Sequence, residues 1–204
     1  MSKLKGKSIV KFLKRIQYNS PVSLTFAVVS LVALLLGYLS DNKITALLFT
    51  VYRSSFTDPL AYFRVFGHVI GHADFTHYVS NFMMILILGP IIEEKYGSTF
   101  TLIIMILTAF TTGVLNLIFF PDVMLLGASG IVFMLIILSS FVNLQQGRIP
   151  LTLVLVLLVY IGSEIISAIT IKDNISRFAH IAGGLCGAGI GCYINRDKLK
   201  REDR

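Results

Sequence analysis

Apolar residues run through this chain in long blocks separated by short polar links, and the blocks are too long for helices of a water-soluble core. A span across a bilayer needs about 20 predominantly apolar residues. Six blocks approach that length, at 21–39, 77–92, 99–120, 126–142, 150–171 and 178–194. The second and fourth are short and the sixth is rich in glycine, so their ends are the least defined. The pattern predicts an all-α polytopic membrane protein with six transmembrane helices. It divides the chain into a tail at 1–20, a membrane domain at 21–194 and a second tail at 195–204.

Composition agrees. Only 14% of the 204 residues are charged and 55% are hydrophobic, whereas soluble domains carry about 25% charged residues. No cleavable signal peptide is expected, because the basic start leads into a full-length span with no small-residue cleavage site close behind. The net charge of +7 could suggest a nucleic-acid partner, but its placement argues against one. Lys3, Lys5, Lys7, Lys11, Lys14 and Arg15 precede the first span, and Arg196, Lys198, Lys200, Arg201 and Arg204 follow the sixth. Two basic tails around an even number of spans predict that both termini are cytoplasmic. The links at 93–98 and 143–149 then face inward, and 40–76, 120–125 and 172–177 face outward. Cys186 and Cys192 sit in one apolar segment on different helical faces and read as packing residues.

Polar residues inside apolar spans are costly and usually mark function. "LGASGI" places Ser129 between glycines at the outer start of the fourth span. His180 opens the sixth span from the same side, and His77 and Asn81 open the second, sharing one helical face at i,i+4. A serine, a histidine at matching depth and two hydrogen-bond donors form a parts list for acyl transfer. Gly183, Gly187 and Gly191 form a small-xxx-small stripe that permits close helix approach. Gly127 and Gly130 keep bulk away from the serine. If the sixth span packs this stripe on the fourth, His180 comes beside Ser129.

Taken together, these residues resemble the rhomboid intramembrane serine proteases, from about Tyr62 to Tyr193. "HADFTHYVSN" fits H-x4-H-x3-N through His72, His77 and Asn81, and "GPIIEEKYGS" fits G-x3-E-x3-G-S through Gly89, Glu93, Gly97 and Ser98. "GASG" is the nucleophile motif, and "AHIAGGLCG" fits A-H-x2-G-x3-G. The resemblance implies a rhomboid-like bundle that cleaves transmembrane protein substrates within the lipid bilayer, with no cofactor. It implies a Ser129–His180 dyad without an aspartate. An oxyanion site would come from His77, Asn81 and the Ser129 backbone N–H, and His72 either joins it or braces the outer loop. It further implies a bacterial inner membrane as the location, with the site opening outward. Two departures stand out: Phe63-Arg64 replaces a frequent Trp-Arg pair, and Phe133 replaces a tyrosine that often stacks on the catalytic histidine.

Other polar residues have simpler readings. Glu93 and Glu94 are expected as inward-facing surface acids, although the motif suggests that Glu93 pins a turn. Asn116 is expected to bond a neighbouring helix. Glu164 lies well inside the fifth span with no evident partner. His68 and His72 in "HVIGH" have zinc-like spacing, yet Val69 stands where H-E-x-x-H chemistry needs a glutamate base, so no metal is assigned. A transporter could use the same polar cluster as a pathway, but it would not require a serine between glycines aligned with a histidine.

Overall fold

The computed structural model describes residues 17–142, 144–145, 148–170 and 174–199, without the side chains at 160, 161, 163–170 and 174–176. The basic residues up to Arg15 and from Lys200 onward, and the Glu164 side chain, lie outside the described residues. The described elements are helices α1 (Pro21–Leu39), α2 (Lys43–Leu48), α3 (Pro59–Gly67), α4 (Phe75–Tyr96), α5 (Ser98–Phe119), α6 (Ser129–Ser139), α7 (Leu151–Thr170), α8 (Asn174–Ile194) and α9 (Arg196–Leu199). Each of the six predicted spans overlaps one helix. Among the described residues, three of them, α1, α4 and α5, are long and apolar enough to cross a membrane.

The packing follows membrane rules. The buried face of α1 is made of small residues (Ser23, Ala27, Ser30, Ala33 and Gly37), together with Leu34. Its outward positions carry Val28, Val32, Leu35 and Leu39, all exposed. Without water to drive burial of large side chains, helices associate where small residues let backbones approach. Gly89 of α4 shows this directly, since a Cβ there would collide with the Ser23 hydroxyl.

The fourth predicted span needs correction. The helix begins at Ser129 rather than 126 and ends at Ser139 rather than 142. Gly127 has φ +118°, a conformation that only glycine adopts readily, and its N–H is given to the His68 carbonyl at 2.9 Å. Neither feature is compatible with a helix starting earlier. The remaining 11 residues extend ~16 Å at the helical rise, about half the hydrocarbon thickness. Nearly every side of α6 is buried, including Ile131, Met134, Leu135, Ile137 and Leu138. It is the central post of the bundle.

The 40–76 segment is also more structured than a plain loop. Asp58 caps α3 by accepting from the Leu60 N–H at 3.0 Å, with Pro59 at the first helical position, where its missing N–H costs nothing. Asp74 caps α4 through the His77 N–H at 2.7 Å. Arg64, only 1% exposed, pairs with Asp58, donates to the Ser54 hydroxyl and the Leu47 carbonyl, and lies over the Tyr52 ring. The guanidinium beside it holds the Asp58 carboxyl below the usual carboxylate range. A two-bond bridge then ties this segment to the approach to α6: Val51 N–H to the Leu125 carbonyl at 2.9 Å, and Leu125 N–H to the Val51 carbonyl at 3.0 Å.

Two polar residues differ from expectation. Glu93 is no surface acid: it is 5% exposed and accepts from Val22 N–H, Ser23 N–H, Ser23 Oγ and Ser98 Oγ at 2.7–3.1 Å. One carboxylate therefore satisfies backbone donors at the start of α1, where the helix dipole favours an anion, and holds the Ser98 hydroxyl at the start of α5. Among the described residues Asn116 bonds no neighbouring helix; its Nδ2 donates to the Val123 carbonyl and fixes the turn beyond α5.

Candidate active site

Ser129 is the first residue of α6, where backbone N–H groups lack intrahelical partners and the helix dipole is positive. The residue is half-buried. Three contacts define what surrounds it.

The first is with α8. Gly183 meets the Gly130 backbone so closely that any side chain there would clash, and Gly187 and Gly191 likewise abut Met134 and the Phe141 ring. This tight seam runs the length of α6. His180 lies between Ala179, whose carbonyl reaches Gly130, and Gly183, so it stands on the α8 turn that abuts the start of α6. The Phe133 ring packs on the His180 ring with centroids 4.2 Å apart. Phenylalanine thus supplies a flat apolar face to the imidazole without a hydroxyl.

The second contact is with α4. A Cβ on Gly127 would lie 2.7 Å from the His77 ring and 3.9 Å from Asn81 Nδ2. The backbone just before Ser129 therefore passes directly over both side chains, and only glycine fits. Asn81 is 6% exposed, and its Nδ2 has no hydrogen-bond partner among the described residues. An unbonded buried amide costs about 1–3 kcal/mol, so natural folds rarely keep one without use for it. Here it sits near Gly127, two residues before the start of α6.

The third contact is with the turn between α3 and α4. His68 is buried; its Nδ1 donates to the Val65 carbonyl at 3.0 Å, its Nε2 meets the Thr112 hydroxyl at 3.2 Å, and its carbonyl holds Gly127. His72 is fully buried, donates from Nδ1 to the Ile70 carbonyl at 3.1 Å and packs edge-on against the His77 ring at 5.0 Å. Burial lowers both imidazoles to about 4, for His72 with help from the neighbouring His77. Both rings are neutral near pH 7. His68 thereby spends its ring nitrogens on α3 and α5, and among the described residues no group of three metal-ligating side chains occurs.

Sequence reasoning picked out Ser129, His180, His77, Asn81 and His72, and these surround the start of α6. It missed His68 as the carbonyl that positions Gly127, and Arg64 as the hub of the preceding segment. The Asp58-Pro59 pair was the available signal for the latter, since it marks a helix start.

A family model described as Rhomboid domain matches residues 59–197, which takes in α3 through α8 and the start of α9. No curated protein matches the chain. With two-thirds of its length matched and its helices apolar, the chain is an integral membrane protein and belongs to the rhomboid family, whose members are intramembrane serine proteases.

Proposed function

We propose that this chain hydrolyses peptide bonds in or near transmembrane segments of membrane proteins through a Ser129–His180 dyad. His180 takes the Ser129 proton as the hydroxyl oxygen attacks the scissile carbonyl, and then returns it to the leaving amine. His77, the Asn81 amide and the Ser129 backbone N–H bind the oxyanion, aided by the α6 dipole. With its Nδ1–H given to Ile70, neutral His72 presents only a lone pair at Nε2. Its role is to hold the His77 ring rather than to donate to the oxyanion. Water entering from the membrane surface hydrolyses the acyl-enzyme. The bundle lies in the bilayer of a bacterial inner membrane, with the short α6 enclosed by the longer helices, both basic tails in the cytoplasm and the site facing outward.

The observation that carries this reading is the buried, unbonded Asn81 Nδ2 beside Gly127 and the start of α6. A donor kept without a partner suits a charge that exists only in a transition state. The test is cleavage of a transmembrane substrate in proteoliposomes. Ser129→Ala and His180→Ala should each abolish turnover, and the double variant should be no worse, because the two act as a unit. A single variant that retains most of the turnover would remove that residue from the mechanism.

A further inference from the structure

On the site side of the bundle, a cavity of about 570 Å³ opens between the 52–66 segment and the last turns of α5. Its lining combines two chemistries. Arg53 and Ser55, both exposed, line it. So does an apolar wall of Phe66, Phe110, Val114 and Ile118, with the Phe66 and Phe110 rings stacked at 5.5 Å. Arg64 is committed to Asp58, Ser54 and Leu47, whereas Arg53 makes no hydrogen bond or ion pair with any described residue. An exposed cation and an apolar wall in one cavity match one amphiphile. The wall also continues directly into surface that faces the bilayer: Phe66, Phe110 and Ile118 are 43%, 44% and 62% exposed.

We infer that this cavity binds one anionic glycerophospholipid of the surrounding leaflet, its phosphate on Arg53 and Ser55 and an acyl chain along Phe66, Phe110, Val114 and Ile118. The lipid would brace the segment that leads to the site. Val65, at the back of the cavity, gives its carbonyl to His68, and the His68 carbonyl fixes Gly127. None of the lipid contacts involves a residue of the candidate catalytic group, so binding and turnover can be measured apart.

Native mass spectrometry of the full chain, released from mixed micelles containing phosphatidylglycerol and phosphatidylcholine, tests this. The wild type should retain one phosphatidylglycerol and favour it over phosphatidylcholine. Reversing the charge in Arg53→Glu should lower retention about tenfold, given about 1 kcal/mol per basic residue near an anionic surface. Ile118→Trp, which narrows the cavity, should also lower it. Both positions are exposed, and unchanged melting temperatures would show that the fold is kept. Retention equal to wild type in both variants would overturn the inference. So would displacement of the lipid by glycerol phosphate alone, which would make the site one for a bare anion.

Discussion

Two buried polar side chains at opposite ends of α4, Glu93 and Asn81, are treated in opposite ways. At one end, Glu93 is surrounded by four donors, and each of its hydrogen bonds ties α4 to the start of α1 or α5. At the other, Asn81 Nδ2 and His72 Nε2 are buried without partners among the described residues, near a glycine at positive φ and the start of the short helix α6. A satisfied carboxylate holds the helices together. An unsatisfied amide is available to a substrate.

That contrast predicts different failures. The largest effect should come from Glu93→Ala, which leaves four donors at two helix starts without an acceptor. A buried donor left unsatisfied costs about 1–3 kcal/mol, so losing the acceptor of four should make the melting temperature fall sharply. Turnover should drop only with the folded fraction, and Glu93→Gln should recover part of the loss. A variant that melts normally but is inactive would place Glu93 in the chemistry instead and erase the contrast.

Asn81→Ala should behave in the reverse way. Loss of one oxyanion donor costs on the order of 3 kcal/mol, roughly a hundredfold in rate, and His77 or a water could soften it to about tenfold. Melting temperature should be unchanged or slightly raised, since an unbonded buried group is removed. Full activity, or inactivity that tracks unfolding, would show the amide to be structural.

The pattern of what the sequence disclosed follows the same division. The serine, the histidines and the glycine stripe were legible because each is a local signal: a residue type that membrane spans seldom carry, at helical spacing. Hydropathy also located all six long helices. It could not find α2 and α3, which are shorter than any span, nor the early end of α6. Hydropathy stays high through 126–142, and the helix is limited instead by the positive φ of Gly127 and its bond to His68. The Val51–Leu125 bridge pairs backbone atoms, and Glu93 reaches the backbone N–H of Val22, 71 residues away; those backbone partners leave no mark on the residues chosen.

A smaller effect per step should appear on acidification. His68 and His72 titrate near 4 in the fold, below the ordinary 6.5, so the unfolded chain binds protons that the folded chain refuses. Stability is then complete above about pH 6.5 and declines as pH falls toward 4, by up to about 1.4 kcal/mol per pH unit for each histidine. It should level off below that. His72→Phe should flatten the decline in a melting series between pH 7 and 4. An unchanged slope would mean that His72 is not held neutral by the fold.

The central claim is that Ser129 is a nucleophile and not a packing serine at a helix start. Labelling with a fluorophosphonate probe in membranes tests it most directly, in wild type, His180→Ala, Glu93→Gln and Ser129→Ala. The wild type and the folded fraction of Glu93→Gln should label, His180→Ala should label far more slowly, and Ser129→Ala should not label. Labelling of Ser129→Ala at the wild-type rate would contradict the account.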